Sequence, residues 1–190
     1  MPVRLLAFCG SARRESCNRR LLAAAVAVAR GAGADVTELD LRADLLPLYD
    51  GDLEEQHGLP SAARELKQLF AAHDGFLIAS PEYNGFFPPL LKNAVDWVSR
   101  PAPDLPASSY AGKTAGLLAA SPGALGGIRC LPHLRLLLSN LGVTVSPTQM
   151  ALGGADHAFA ADGRLENSAQ QAMLEKTVGD LIRLTKAVKA

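Results

Sequence analysis

Along the chain, short apolar runs alternate with stretches of helical spacing, and glycine, proline or polar residues separate the two. Val3–Cys9 (V-R-L-L-A-F-C) is apolar apart from Arg4 and suits an interior parallel strand. Leu21–Ala29 is alanine-rich and helical, with Gly31 and Gly33 to end it. Asp35–Leu41 alternates apolar and polar, as an edge strand with one exposed side does. Ser61–Ala72 places Ala63, Leu66, Leu69 and Phe70 on one helical side, with Pro60 and Ser61 as the start signal. Gly75–Ala79 is a second buried strand, which Ser80-Pro81 stops because proline has no N–H for a sheet ladder.

Pro88 and Pro89 then fix φ for a helix's first turn, and Leu91, Ala94, Val95 and Val98 form the inward stripe of a helix reaching Arg100. Lys92, Asn93 and Asp96 fall off that stripe, and Trp97 lies beyond it. Lys113–Ala120 is another buried strand, Ile128–Leu141 a helix capped by Gly142, and Val143–Val145 begins a fifth strand. Ser168–Val188 is a long amphipathic helix with Leu174, Val178, Leu181 and Ile182 inward. Residues 42–60, 101–110 and 153–165 read as loops, and the acidic tract Asp50–Glu55 as part of a solvated one.

Five successive β–α units predict an α/β fold of three layers, a parallel sheet with helices on both faces. For a chain of 190 residues the flavodoxin-like strand order 2-1-3-4-5 is the natural candidate, in a single domain spanning residues 1–190. That order makes neighbours of the loops after the first, third and fourth strands, at the sheet end where open α/β proteins bind ligands.

Composition narrows the partners. Lysine plus arginine equals aspartate plus glutamate at 19 each, which gives no reason to expect nucleic acid or an anionic membrane. No run approaches the ~20 apolar residues of a membrane span. The odd count of three cysteines (Cys9, Cys17, Cys130) fits no disulfide framework or C-x-x-C pair, so a reducing, cytoplasmic location is expected. His57, His73, His133 and His157 are scattered without metal-ligand spacing and read as surface or capping residues.

The chemistry concentrates in the first of the three loops. Between Gly10 and Arg20 stand four arginines and one glutamate, a local charge of +3 in a neutral protein. Ser11 and Ser16 offer hydroxyls, Asn18 an amide and Arg13 a guanidinium, just before a helix whose free N–H groups and dipole favour a phosphate. A capping cluster with solvated arginines is the competing reading of this loop taken alone. Neither G-x-x-x-x-G-K nor G-x-G-x-x-G is present, which argues against ATP and a Rossmann nicotinamide site. In the second loop, Glu82-Tyr83-Asn84-Gly85 reads as an ordered turn in which Asn84 or Gly85 takes positive φ.

Taken together, the loops resemble the NADPH-dependent FMN reductase family, most closely its bacterial quinone, chromate and azo-dye reductases. G-S-A-R-R-E-S-C-N-R-R-L at 10–21, the segment from Pro81 to Arg100 and the glycine-rich S-P-G-A-L-G-G-I-R at 121–129 are similar to that family's three signatures, over residues 3–150. The resemblance implies that Ser11, Arg13, Ser16 and Asn18 hold the FMN phosphate in a cofactor-binding loop that includes Cys17, whose thiol reads as packing. It implies that Pro81, Glu82, Tyr83, Asn84 and Gly85 lie along the ribityl chain and ring edge, with Ser121 and Gly123 approaching the ring. It further implies hydride transfer from NADPH or NADH to FMN N5, then electron delivery to a small-molecule acceptor: a quinone, azo compound, metal ion such as chromate, or free flavin. No catalytic side chain and no metal are expected, because the flavin carries the chemistry.

A homodimer or homotetramer is expected, from the family, from Trp97 beyond the inward stripe, which reads as a buried or interface aromatic, and from the exposed aromatic surface of Phe86-Phe87. One open face above the ring implies ping-pong kinetics. Phe86-Phe87, Pro89 and Pro122 depart from the family's usual residues and leave acceptor preference open. Arg14, Arg19, Arg20 and Arg129 are the candidates for a 2′-phosphate. An acidic flavodoxin-type electron carrier, which the zero net charge disfavours, and a non-catalytic FMN module are the rival readings.

Overall fold

The computed structural model describes residues 1–42 and 46–189; the part of the expected 42–60 loop at 43–45 lies outside them. In chain order the elements are β1 (Arg4–Cys9), α1 (Cys17–Gly31), β2 (Asp35–Leu39), α2 (Gly51–His57), α3 (Ser61–Ala72), β3 (Gly75–Ala79), α4 (Pro89–Ser99), β4 (Thr114–Ala120), α5 (Cys130–Asn140), β5 (Thr144–Leu152) and α6 (Ser168–Lys189). All strand pairs are parallel, in the order β2-β1-β3-β4-β5, as the pattern predicts. No helix among the described residues is long and apolar enough to cross a membrane.

The central strands are buried on both faces, which is why their sequences read as continuous apolar runs. Alternate residues feed two different cores. Leu5, Ala7, Cys9, Leu77 and Leu118 face α1 and α6, where the alanines of α1 allow close approach to the sheet. Leu6, Phe8, Phe76, Ile78 and Leu117 face α3, α4 and α5. There Phe8, Phe70, Phe76 and Tyr110 form a tilted and edge-to-face cluster with centroids 5.2–6.2 Å apart. Each such ring contributes about 1.5–3 kcal/mol by burial, so loss of Phe76 would open the middle of that layer.

Two expectations change, and one buried charge is new. The acidic tract is a helix, α2, because Asp50 caps it through the Asp52 N–H (2.9 Å) and Glu54 is anchored by Tyr49 Oη (2.8 Å) and Arg100 Nε (2.8 Å). Of the two places open to it, core or interface, Trp97 takes the core. It is fully buried under the segment preceding α2, with Nε1 donating to the Pro47 carbonyl (2.8 Å) and its ring edge-on to Tyr49. Lys67 replaces an apolar residue in the α3 interface, 1 % exposed, and donates to the Val98 carbonyl at the end of α4 (3.2 Å). A free carbonyl at a helix C-terminus welcomes a cation, and the lysine's methylene stem supplies the packing.

Candidate active site

The three loops named above leave the carboxyl ends of β1, β3 and β4, and continuing strand bonds hold them side by side. Gly10 N–H donates to Ala79 O (2.9 Å), Ser80 N–H to Leu118 O (2.8 Å) and Ser121 N–H to Leu152 O (3.1 Å). β2 and β3 lie on opposite sides of β1, so the first two loops flank a point where the chain changes direction across the sheet.

The first loop is braced from below. Ser16 caps α1 by accepting the Arg19 N–H (3.4 Å), and Ser11 Oγ accepts the Arg13 N–H (3.3 Å). Arg19 turns back under the loop to the carbonyls of Arg13 (3.2 Å) and Ser11 (3.1 Å) and to Asp40 (2.9 Å). Arg42 donates to the same carboxylate and to Ala12 O (3.4 Å). Hydrogen bonds from Arg42, then Arg19, outweigh desolvation and hold the Asp40 carboxyl well below the usual carboxylate range. Arg13 and Arg14 remain on the solvent side, paired with no carboxylate among the described residues.

Asn18 is a correction. It is 3 % exposed, its Nδ2 donates to Ala120 O (2.8 Å) and its Oδ1 accepts the Ala120 N–H (2.9 Å). Its amide is spent on clamping the end of β4 to α1, and it offers a phosphate only its backbone. Cys17 packs its thiol against the α1–α6 core, as expected. Burial pushes the Cys9 thiol up and the Cys130 thiol to about 11, so both are neutral near pH 7 and neither is a nucleophile.

In the second loop Tyr83 and Phe86 exchange backbone hydrogen bonds (2.8 and 3.1 Å) across Asn84 (φ 54°) and Gly85 (φ 85°). Positive φ at both central residues makes a type I′ turn, for which Asn-Gly is a preferred pair. Pro81 is buried, while Tyr83 and Asn84 are exposed along the rim. The Glu82 carboxylate is already engaged: it is bound to Arg129 on the third loop. Ser121 Oγ donates to Gly123 O (3.2 Å), and a Cβ on Gly123 would meet nothing closer than Ser121 Oγ at 3.7 Å, so this segment leaves its backbone open. Phe86 is half-exposed and stacks on the His133 imidazole of α5 (4.1 Å, 21°).

The donor set fits a phosphate ester carrying a planar ring: a serine-capped helix N-terminus and two unpaired guanidiniums at one end, and loops of open backbone and aromatic side chains at the other. A groove of about 440 Å³ between α1, Phe159 and α6 shares no residue with the second or third loop and is not this cleft. Of the four arginines considered for a 2′-phosphate, Arg19 and Arg129 are engaged and Arg20 lies over the Phe159 ring at 4.4 Å; Arg14 has no such contact among the described residues.

Residues 3–157 match the family model described as NADPH-dependent FMN reductase. The chain is 36 % identical over 152 residues to a quinone reductase of Escherichia coli, covering 80 % of this chain and 78 % of that protein. It is 33 % identical over 175 residues to an NAD(P)H-dependent FMN reductase of Pseudomonas aeruginosa, covering 92 % and 90 %. The structure is similar to that of the flavoenzyme NAD(P)H:(acceptor) oxidoreductase FerB of Paracoccus denitrificans, with a TM-score of 0.84 at 27 % identity over 97 % of this chain and 98 % of that one.

Proposed function

The chain belongs to the NADPH-dependent FMN reductase family, and from that premise we propose a single-domain, cytoplasmic NAD(P)H:quinone reductase that uses one cleft for donor and acceptor in turn. It is an NAD(P)H-dependent oxidoreductase with FMN as cofactor and a small molecule as acceptor. Bound FMN supplies a centre that accepts a hydride and releases electrons. The protein's part is to hold and orient it. Arg13, the Ser16-capped end of α1 and the serine hydroxyls hold the phosphate; Pro81 to Gly85 and Ser121 to Gly123 present backbone to the ring. Quinones fit the open aromatic rim formed by Tyr83 and Phe86, and the quinone reductase of E. coli supports the same acceptor class. Azo compounds, chromate and free flavin are the further acceptors to be compared.

The observation that carries this reading is the pair of unengaged guanidiniums, Arg13 and Arg14, over a braced helix N-terminus. An electron carrier of this type is usually strongly acidic overall, and a net charge of zero speaks against that reading. The test is steady-state kinetics of the FMN-loaded protein with NADPH, NADH and p-benzoquinone. Parallel double-reciprocal lines, with NADP⁺ competing against the quinone, are expected. Intersecting lines would show two separate pockets, and no turnover would leave the non-catalytic module.

Assembly is proposed as a homodimer or homotetramer. Trp97 and Phe87 no longer support it, because both are buried in the core. Support comes instead from Tyr83, Phe86, Leu125, Ile128 and Leu136, all more than 40 % exposed on the second loop, the third loop and α5. A monomer mass by light scattering at micromolar concentration counts against it.

A further inference from the structure

The second and third loops are joined by one ion pair, and its chemistry is unusually one-sided. The Glu82 carboxylate accepts the Arg129 backbone N–H (3.0 Å) and Nε–H (2.7 Å) and pairs with Nη2. The glutamate side chain is 8 % exposed and the arginine 66 %. Arg129 is the N-cap residue of α5, which has no side-chain cap of its own and no acidic residue in its first turn. Glu82 therefore supplies from another element the anion that the positive end of α5 favours.

The glycines before Arg129 complete the arrangement. Gly126 (φ 61°) lies so close to the end of β5 that a Cβ would fall 2.6 Å from the Leu152 carbonyl carbon. Gly127 (φ 82°) lies against Ala119 and Glu82, with a Cβ reaching 3.2 and 3.6 Å. The rear of the loop is thus pinned to β5, and Ala124 in its exposed front packs against Gly153, where a Cβ would fall 2.4 Å from the Ala124 carbonyl oxygen, which leaves the side toward the second loop to Arg129. No other salt bridge links the two loops among the described residues.

We propose that Arg129 and Glu82 are positioning residues, a latch that fixes the third loop against the second and so sets the width of the cleft between them. This rests on the FMN site proposed above, but the latch itself belongs to the apoprotein. The pair is asymmetric. Without Arg129 a nearly buried carboxylate keeps only a backbone donor, and the loop must move to let in water. Without the Glu82 charge, an exposed guanidinium is simply hydrated, and a glutamine oxygen still accepts from the Arg129 N–H.

The experiment compares Arg129→Ala, Arg129→Lys and Glu82→Gln with the parent protein in two ways. Amide exchange of residues 122–128 in the apoproteins is expected to quicken about tenfold in R129A, less in R129K and least in E82Q. FMN dissociation constants should rise in the same order, with a shifted visible flavin band in R129A, and the E82Q/R129A double variant, in which no buried charge is stranded, should fall back toward E82Q. Unchanged exchange in R129A, or effects in E82Q as large as in R129A, overturns the latch. Exchange that responds while FMN binds to none of the proteins, the parent included, upholds the latch and removes the flavin site instead.

Discussion

At the amino end of the sheet, Arg4, Asp74 and Lys189 close into a triad, whereas at the carboxyl end Arg13 and Arg14 face solvent over an open cleft. Asp74 accepts the Arg4 backbone N–H (2.9 Å), its guanidinium (3.2 Å) and Lys189 Nζ (2.8 Å). Lys113 donates to the Ala71 carbonyl (2.9 Å) and to that of His73, and the His73 imidazole bridges Leu69 O (2.7 Å) and Thr37 Oγ1 (2.9 Å). Charges there are consumed in holding termini and connections to the sheet. At the other end, Arg19, Arg42 and Asn18 are consumed in the same manner, but only to hold Arg13, Arg14 and the backbone of three loops in place with nothing of their own to bind. The difference separates groups that stabilise the fold from groups left for a ligand, and each can be tested against the other.

The hardest test is Asn18→Ala, because Asn18 stands at the ligand end yet is bonded like a residue of the other. It strands both backbone groups of Ala120 in the interior, at about 1–3 kcal/mol each, so apoprotein stability should fall by roughly 3 kcal/mol in urea titration. A loss below about 0.5 kcal/mol would return Asn18 to the ligand. Arg13→Ala should do the reverse. Loss of one charge-assisted hydrogen bond to phosphate weakens FMN binding by about 1–3 kcal/mol, roughly 5- to 150-fold, and leaves riboflavin binding and the apoprotein midpoint unchanged.

Asp74 gives the matching test at the amino end. Its desolvation, which would raise the pKa, is outweighed by hydrogen bonds from Lys189 and Arg4, and its carboxyl titrates at about 2 rather than 3.8. A folded-state pKa below the unfolded value stabilises above the unfolded value, and that contribution is lost as pH falls through the folded one. Between pH 4 and 2, then, the parent protein should lose about 1–2 kcal/mol that Asp74→Asn has already lost at neutral pH. FMN affinity at pH 7 should be the same in both. Parallel stability curves for the two proteins across that window would remove Asp74 from the account.

The sheet was legible because its central strands are apolar on both faces, and Ser61–Ala72 and Gly75–Ala79 have the predicted bounds. The type I′ turn was half legible: Asn84-Gly85 announces positive φ, but the paired Tyr83 and Phe86 do not show in a string of letters. Helix α2 was missed because none of its residues is buried and its anchor, Arg100, is 46 positions from Glu54. Lys67, Asn18 and the Glu82–Arg129 pair escaped for the same physical reason. A polar residue's partner is set by the fold, and spacing along the chain carries no trace of it. The residue types of the first loop were readable, whereas its division into braces and free donors was not: Arg13, Arg14 and Arg19 look alike until Asp40 and the loop carbonyls are in place.

That division yields the smallest effect and the most direct comparison of the two ends. Exposed guanidiniums attract a phosphate through solvent, and the screening length shrinks from roughly 30 Å at about 0.01 M salt to about 3 Å at 1 M. Arg13 and Arg14 should lose part of their hold as sodium chloride rises, and the FMN dissociation constant should increase by about threefold across that range. Riboflavin, which lacks the phosphate, should bind with little salt dependence, and Arg13→Ala should flatten the FMN slope by about half. At the amino end Asp74, 11 % exposed, is in direct contact with both cations, and contact leaves little solvent between the charges to screen although Arg4 and Lys189 are themselves 51 % and 41 % exposed. The stability difference between the parent and Asp74→Asn should accordingly stay constant over the same salt series. Equal slopes for FMN and riboflavin would mean that the phosphate is held by the backbone of α1 alone. A triad that weakens with salt as steeply as FMN binding does would erase the distinction between the two ends.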